Sequence, residues 1–290
     1  MRYFWTRQSA AGVCDQRKPR TPGTQLCLPQ PVPMKKSDSL RLSASSLQDF
    51  VGELAKLPVL VLAGGLGTRL RSVFKGPKAM APISGIPFLS YLLRSLCAAG
   101  LRRIILCVGY RQEEIVSWAG DGSAMGLSIE YSVEKRPLGT AGALRLAADQ
   151  YLTRGPFAVV NGDTLLRVDY AALLATHLHH HGAGTLTLVP VADSGRYGAV
   201  EIDGQKRVTA FAEKSAERHV GHINAGVSLF DFSILNLIAR DTVVSLEHQV
   251  IPQLISEGRL FAFPTEGYFI DIGVPDDYAR AQRELKDLLP

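Results

Sequence analysis

The sequence predicts an α/β fold in which a parallel-rich sheet is covered by helices on both faces. Between residues 58 and 182, short apolar runs alternate with segments of helical periodicity, which is the pattern that β-α-β units produce. Glycine or polar residues follow these apolar runs, at Gly64, at Gly109 and at Asn161–Asp163. Because ligands bind beyond the carboxyl ends of the strands in such sheets, we expect these places to share one functional edge.

The individual elements follow from hydrophobic spacing and from glycine or proline at their ends. Residues 58–62 form a continuous apolar run typical of a buried strand, and Phe88, Leu92 and Leu96 recur on one helical face before Gly100. The same criteria predict strands at 102–109, 128–133 and 157–163 and helices at 111–120, 139–152 and 170–182. After residue 184 the strands are close-set, and we predict them at 185–191, 197–203, 207–214, 223–230, 259–264 and 268–273, with helices at 231–239, 246–257 and 275–288.

The first part of the chain has a different composition. Residues 1–38 are rich in Pro, Gln and Ser without hydrophobic periodicity, so we interpret residues 1–45 as a disordered extension and residues 46–290 as one folded domain. Met34 is an alternative start of the protein. A short helix predicted at residues 45–56 either packs on the domain or joins two copies in a homo-oligomer.

The composition of the 290 residues, 46% hydrophobic and 20% charged, is typical of a soluble globular protein. No apolar run approaches the ~20 residues that a membrane span requires, so no membrane partner is expected. The net charge of +5 would admit a nucleic-acid partner, but no basic face or stacking aromatic pattern supports one, and anionic small substrates fit as well. The four cysteines lack metal or disulfide spacing and favour a reducing, cytoplasmic setting; they are Cys14, Cys27, Cys97 and Cys107.

A glycine-rich loop directly follows the first predicted strand. It contains Gly64, Gly65 and Gly67, and it leads to Arg69 and Lys78. Glycines let a backbone approach an anion closely, and guanidinium and ammonium groups supply countercharge, so the loop predicts a polyphosphate site. The spacing matches neither the dinucleotide fingerprint G-x-G-x-x-G nor the Gly-Lys-Ser/Thr of a P-loop. The alternative, an ordinary turn between strand and helix, accounts for one or two glycines but not for three with two cations.

Two aspartates occupy places where a lone carboxylate needs a countercharge. Asp163 follows a buried strand at the edge that the glycine-rich loop shares, and Asp271 lies inside the apolar run 268–273. Mg²⁺ prefers one or two carboxylates together with substrate phosphates, so this pair predicts a magnesium site. The alternative for Asp163 is a turn or helix N-cap residue, which is common after strands.

Five further residues are candidates for binding a substrate. Glu213 and Lys214 end a predicted strand, and Asn224 lies in an apolar strand where it suits hydroxyl recognition. Tyr197 and Gly198 could form a surface against which a sugar packs. The alternatives are a solvated Glu-Lys edge pair, a hydrogen-bonded core asparagine and ordinary core packing.

Four of the seven histidines lie in the segment THLHHHG, residues 176–182. His177 and His181 share one helical face, which would suit a metal, but a solvent-exposed helix C-terminus is the preferred interpretation and no function is assigned. No histidine accompanies a serine or cysteine elbow, so nucleophilic triad chemistry has no support.

Seven motifs stand in the order typical of sugar-1-phosphate nucleotidyltransferases: LAGGLGTRLRSVFKGPKAMAPISGIPFLSYLL, VEKRPLGTAGAL, VVNGDT, YGAVEI, FAEK, INAGV and YFIDIGVPDDYARA. The sequence resembles this family from about Pro58 to Leu285 and is most similar to its heptose-1-phosphate guanylyltransferase branch, with the hexose-1-phosphate enzymes next. The resemblance implies a Rossmann-like GT-A fold with a mixed central sheet. It also implies an enzyme that condenses a sugar 1-phosphate with an NTP, GTP being favoured, to give an NDP-sugar and pyrophosphate. The alternatives are a uridylyl- or thymidylyltransferase and a non-catalytic nucleotide-sugar-binding regulator.

The resemblance further implies a role for each matching residue. Arg69 would contact the leaving phosphates, Lys78 would contact the α-phosphate, and Asp163 with Asp271 would hold Mg²⁺. Nucleotide contacts would come from Leu62, Gly64, Gly65, Gly67, Thr68, Glu134, Gly139 and Thr140, and sugar contacts from Tyr197, Gly198, Glu213, Lys214 and Asn224.

Two residues depart from the family's pattern. Ala79 follows the lysine where proline is usual, and Gln249 stands where an acid is usual, so no acidic role is carried over to that position. A non-catalytic sensor could lack Arg69, Lys78 or one of the two aspartates. All four residues are present in this chain, which favours an enzyme. A glycosyltransferase would require D-x-D, whereas the chain has Asp163-Thr164-Leu165.

Glu134 is the candidate for recognising the base. Guanine presents two adjacent N–H donors that suit an ionised carboxylate, whereas uracil and thymine suit an amide, and relatives that take those bases are expected to have Gln here. The alternative is a solvated glutamate in a turn beside Lys135 and Arg136.

The reaction requires no general base, since a phosphate monoester with a second pKa near ~6 is already ionised at neutral pH. Alignment and charge neutralisation are what the reaction needs.

Overall fold

Nine strands form one mixed sheet at the centre of the chain in the computed structural model, which describes residues 52–65, 67–191, 198–212 and 220–286. The strands are β1 (Val59–Leu62), β2 (Pro82–Ile83), β3 (Ile86–Pro87), β4 (Arg103–Val108), β5 (Ser128–Val133), β6 (Pro156–Asn161), β7 (Thr164–Leu166), β8 (Gly184–Val191), β9 (Ala199–Ile202), β10 (Val208–Phe211), β11 (Gly221–Asp231), β12 (Leu260–Pro264) and β13 (Phe269–Asp271). The helices are α1 (52–56), α2 (Phe88–Ala98), α3 (Gln112–Ala119), α4 (Gly139–Tyr151), α5 (Tyr170–His180), α6 (Ile251–Ser256) and α7 (Pro275–Glu284).

Some predictions fall outside these residues. They are the disordered extension with its boundary at residue 45, the first part of the helix predicted at 45–56, and the candidate residues Tyr197, Glu213 and Lys214. The second part of that helix is present as α1.

The sheet runs in the order β10-β9-β11-β6-β1-β4-β5, with β8 paired to β11 and β12 paired to β8. Strands β6, β1, β4 and β5 are parallel to one another, whereas β11 is antiparallel to β6, β8 and β9. Two small antiparallel pairs lie outside the main sheet, β2 with β3 and β13 with β7. The predicted α/β class with a mixed central sheet is confirmed, and the carboxyl ends of β1, β4, β5 and β6 lie along one edge.

Strand β1 shows how the two faces of the sheet are covered. Val59 and Val61 belong to the core layer that contains the apolar face of α2, and Leu60 belongs to the opposite layer, which contains the apolar face of α4. All three side chains are fully buried. Successive strand residues point to opposite faces, so a strand buried on both faces has the continuous apolar sequence that residues 58–62 show.

The helix predicted at 231–239 is instead a 3₁₀ turn, Phe232–Leu237. It begins at the end of β11, where Asp231 Oδ1 accepts a hydrogen bond from Ser233 N–H at 2.8 Å. The turn ends at Ile238, whose backbone is extended at φ −115° and ψ 110°, so the segment does not continue as an α-helix.

The helix predicted at 246–257 starts as a π-helical turn, Leu246–Val250, and becomes α6 only at Ile251. Pro252 has no N–H to donate, which explains why the turn before it departs from regular α-helical bonding. Strands β2, β3 and β7 were not predicted, because two or three residues are too few to show a period. Within the described residues, no helix has both the length and the apolar character to cross a membrane.

The predicted solvent exposure of the histidine-rich segment is wrong for His177. Its side chain is buried in α5, with Nδ1 3.0 Å from Thr185 Oγ1, and burial lowers the pKa of this imidazole. His181 lies beyond the end of α5 in the left-handed region, at φ 50°, and His180 stacks on Phe261 at a centroid distance of 4.4 Å. The described residues contain no group of three or more His, Cys, Asp or Glu that could hold a metal ion.

Candidate functional site

The carboxyl ends of β1, β4, β5 and β6 open into a cavity of about 330 Å³, the place where ligands bind in α/β sheets. It is lined by Leu62, Gly64, Gly65, Cys107, Glu134, Pro137, Gly139, Thr140, Ala143, Asn161, Asp163 and Glu247. Six of the eight predicted nucleotide contacts are among these residues, and Gly67 and Thr68 are not.

The glycine-rich loop lines the cavity at Gly64 and Gly65, which have no side chains to accommodate there. A methyl group added to Gly64 would lie 2.7 Å from Glu134 Oε1. Gly67 adopts φ 59° and begins a 3₁₀ turn, a conformation that glycine takes without strain. The next turn is anchored by Leu70, which is 1% exposed, and it leaves Arg69 exposed at the exit of the loop.

The two predicted aspartates are brought together by the small sheet of β7 and β13. Thr164 pairs with Asp271, and Ile272 N–H donates to the carbonyl oxygen of Asp163 at 2.9 Å. Lys78 Nζ lies 2.6 Å from Asp163 Oδ2, and both side chains are largely buried, at 16% and 23% exposure. The ammonium group of Lys78 therefore lies close to both carboxylates, although the three residues come from distant parts of the chain.

Negative charge accumulates at this place. Burial, followed by the charge of Asp163, raises the pKa of Asp271 to about 6. The N–H of Gly273, which donates to Asp271 Oδ1 at 2.5 Å, and the charges of Lys78 and Arg69 act in the opposite direction. Two carboxylates with one close ammonium group make a region that favours a further cation.

This donor set fits a divalent metal. It consists of Asp163 and Asp271, with no third carboxylate, histidine or cysteine in a ligating group among the described residues. Mg²⁺ is commonly held by one or two carboxylates, with substrate phosphates and water completing its octahedral shell. The two aspartates therefore match a metal ion whose remaining ligands come from the phosphates of a bound nucleotide and from water.

Glu134 also lines the cavity and lies just after β5. Its N–H donates to Val108 O at 2.9 Å, and its Oε2 accepts a hydrogen bond from Leu138 N–H at 3.1 Å. Burial raises the pKa of this carboxyl, although the Leu138 N–H acts against the shift. The side chain is thus turned toward the cavity, which distinguishes it from a freely solvated glutamate in a turn.

Five lining residues were not among the predicted site residues: Cys107, Pro137, Ala143, Asn161 and Glu247. Asn161 directly precedes the Gly162-Asp163 motif, and its polar side chain at a strand end was the available signal. Cys107 is buried at the end of β4, where burial and the charge of Glu134 raise its pKa to about 12. Glu247 had no signal of its own, because its place depends on a contact with Thr140, 107 residues away.

The predicted sugar contacts that the structure describes are Asn224 and Gly198. Asn224 lies at an irregularity in β11, where its Oδ1 accepts a hydrogen bond from Gly226 N–H at 3.1 Å. Gly226 has φ 73°, and a methyl group there would lie 3.0 Å from Asn161 Nδ2, so this part of β11 runs beside the cavity. Ala199 pairs with Ile223, and continuing this register sets Gly198 opposite Asn224.

The two departures from the family's pattern have local explanations. Ala79 is buried in the 3₁₀ turn Lys78–Met80 that carries the lysine. Gln249 Oε1 accepts a hydrogen bond from Ser245 N–H at 2.8 Å, so it caps its own turn on the surface and does not line the cavity.

Known proteins resemble this chain over most of its length. The family model described as "Nucleotidyl transferase" matches residues 58–287. The chain is 38% identical over 233 residues to mannose-1-phosphate guanylyltransferase of Mycobacterium tuberculosis, which covers 79% of this chain and 65% of that protein. It is 38% identical over 231 residues to D-glycero-alpha-D-manno-heptose 1-phosphate guanylyltransferase of Aneurinibacillus thermoaerophilus, which covers 79% of this chain and 99% of that protein.

A solved structure gives the same result. The crystal structure of HddC from Yersinia pseudotuberculosis complexed with GMP-PN aligns with a TM-score of 0.71 at 36% identity, over 79% of this chain and 100% of that chain. The chain thus spans just under two thirds of the mycobacterial relative and the whole length of the HddC chain. Since the family model covers most of the sequence and the relatives share its fold, the chain belongs to the nucleotidyl transferase family.

Proposed function

We propose that the protein is a sugar-1-phosphate guanylyltransferase, which converts GTP and a sugar 1-phosphate into a GDP-sugar and pyrophosphate. The observation that carries this proposal is the meeting of Lys78 and Asp271 with Asp163, a residue that lines the same cavity as Gly64 and Gly65 of the glycine-rich loop. The guanylyltransferase names of two relatives at 38% identity support guanine as the base and heptose or mannose as the sugar.

The reaction is an in-line displacement at phosphorus. A phosphate oxygen of the sugar 1-phosphate bonds to the α-phosphorus of GTP, and the bond from that phosphorus to the α,β-bridging oxygen breaks, which releases pyrophosphate. The nucleophile is ionised at neutral pH, because the second pKa of a phosphate monoester lies near ~6. The protein therefore has to align two anions and neutralise their charge, and it does not have to remove a proton.

Two cations are assigned to this task. Arg69, exposed at the exit of the loop, reaches the β- and γ-phosphates, and a guanidinium suits their oxygens. Lys78 neutralises the α-phosphate, and its ion pair with Asp163 holds Nζ at the correct end of the cavity before the substrate arrives. Asp163 and Asp271 would hold Mg²⁺, which when bound would neutralise phosphate charge as the pyrophosphate leaves.

Glu134 is assigned to the guanine. Its carboxylate lines the cavity, and Leu138 N–H fixes one of its oxygens, so the group is oriented to accept from N1–H and the 2-amino group. We also propose a cytoplasmic location, where GTP is available and the free thiols Cys97 and Cys107 remain reduced.

Pyrophosphate release tests the proposal. The full-length protein is incubated with MgCl₂, each of four NTPs, and heptose, mannose or glucose 1-phosphate. We expect turnover with GTP to exceed turnover with UTP or dTTP, and we expect Glu134→Gln to reduce this preference. Glu113→Gln, a change at an exposed glutamate of α3, is the matched control. Preference for UTP or dTTP in the wild type would refute the base, and GTP binding without pyrophosphate release would indicate a non-catalytic binding protein.

A further inference from the structure

Glu247 is a cavity residue to which the proposed chemistry gives no role. It lies in the π-helical turn Leu246–Val250, and it lines the same cavity as Glu134 and Gly65. Its side chain is half-buried, and its Oε2 accepts hydrogen bonds from Thr140 Oγ1 at 2.7 Å and from Ser245 Oγ at 3.0 Å. The carboxylate is therefore held in place by two hydroxyl groups.

The turn that carries Glu247 is itself fastened to the first turn of α4. Val244 O accepts hydrogen bonds from Ala141 N–H at 3.0 Å and from Gly142 N–H at 3.2 Å. Val244 N–H donates to Leu138 O at 2.9 Å, and Leu246 N–H donates to Thr140 Oγ1 at 2.8 Å. These hydrogen bonds fix the π-helical turn to the start of α4, so the carboxylate is positioned before any ligand binds.

Glu247 also has acceptor capacity that the protein does not use. A carboxylate offers about four lone-pair sites, two on each oxygen. Both hydroxyl donors bind Oε2, and within the described part of the chain no group donates to Oε1. A polar atom on a cavity wall with no protein donor is suited to a donor on the ligand.

The charges of the cavity restrict which part of a nucleotide can lie against Glu247. The proposed function assigns the phosphates to Arg69 and Lys78, whose charges both act on Asp271 beside Asp163. A carboxylate next to a phosphate would repel it, and no cation pairs with Glu247 among the described residues. The remaining part of the ligand is the uncharged nucleoside, which carries N–H and O–H donors.

We propose that Glu247 accepts a hydrogen bond from the nucleoside of GTP, either from the 2-amino group of guanine or from a ribose hydroxyl, and thereby helps to select the nucleotide. This inference rests on the proposed function, since it takes GTP as the ligand. It assigns Glu247 a contact with the nucleoside in addition to the contact assigned to Glu134.

Calorimetric titration of the full-length protein with GTP, ITP, 2′-deoxy-GTP and 3′-deoxy-GTP tests the inference, because each analogue lacks one donor. Wild type should bind at least one analogue about 10-fold or more weakly than GTP, as expected for a hydrogen bond to a charged group. In Glu247→Ala that ratio should fall to about 2-fold, and in Glu247→Gln it should be intermediate. A loss confined to ITP identifies the guanine amine, and a loss confined to a deoxy analogue identifies the ribose.

A purely structural role gives a different result. If Glu247 only fastens the turn to α4, Glu247→Ala lowers the affinity for all four nucleotides equally, and the ratios stay at their wild-type values, which overturns the inference. Wild type that binds all three analogues within about 2-fold of GTP overturns it without any variant. Absence of GTP binding overturns the proposed function as well, whereas GTP binding and pyrophosphate release with unchanged ratios overturn only the role of Glu247.

Discussion

The ion pair between Lys78 and Asp163 should contribute to stability as well as to catalysis. Lys78→Met retains the aliphatic stem and removes the charge, which leaves Asp163 and Asp271 facing each other without their close ammonium group. Exposed pairs contribute about 0–1 kcal/mol, and breaking a buried pair costs about 3–5 kcal/mol. The side chains of Lys78 and Asp163 are 16% and 23% exposed, so we expect an intermediate loss of about 2 kcal/mol.

The matched control is Lys56→Met. Lys56 pairs with Glu53 at 3.4 Å, but these side chains are 76% and 65% exposed, so its loss should be about 0.5 kcal/mol or less. For a domain of this size, 2 kcal/mol corresponds to a melting temperature lowered by about 4–8 °C. Thermal and urea unfolding without nucleotide or metal, followed by circular dichroism, measure both variants. If Lys78→Met is no less stable than Lys56→Met, the ion pair contributes no more than a surface contact and the reasoning is wrong.

Four other outcomes are expected. Arg69→Ala should lower kcat by about 100-fold or more with an unchanged melting temperature, because the side chain is exposed and its proposed role is to stabilise the leaving group; turnover within a few-fold of wild type would contradict this. Asp271→Asn should remove the rise in melting temperature that MgCl₂ and GTP together give the wild type, and EDTA should have the same effect on the wild type. Gly139→Ala should destabilise the fold by more than about 1 kcal/mol, since φ is 74° and the new methyl group would lie 2.5 Å from a carbonyl oxygen. Gly120→Ala, at φ 56° with open space, is its control, and equal losses would show that the contact contributes nothing. Deleting residues 1–38 should leave turnover and melting temperature unchanged, and a large drop in either would show that this segment supports the domain.

The central sheet could be predicted because its strands are buried on both faces. Such strands have short continuous apolar sequences, and helices such as α2 have a 3.6-residue period, so both patterns are local. The edge at which ligands bind then follows from the α/β topology alone. Asp271 was predicted as a ligand from a local anomaly, a carboxylate within an apolar strand, and β13 pairs with β7 so that it lies beside Asp163.

What could not be predicted depends on contacts between distant segments. Strand β7 has three residues and is a strand only because β13 pairs with it. Glu247 reaches the cavity because its turn is bonded to α4, and no local spacing around SLEHQ indicates that contact. The burial of His177 also depends on a distant contact. A histidine near a helix end is usually exposed, but α5 packs this face against β8, where the imidazole is within hydrogen-bonding distance of Thr185.

The joining of the two aspartates by β7 and β13 has a consequence for the order in which the protein is made. Asp163 is synthesised roughly a hundred residues before Asp271, and at about 5–20 residues per second the ribosome needs on the order of ten seconds to cover that distance. During this interval most of the central sheet is already available to fold, and Lys78 can reach Asp163 as soon as β6 has docked against β1. The pair of carboxylates is completed only when β13 adds Asp271, so a nascent chain can acquire its central sheet before the proposed metal site is complete.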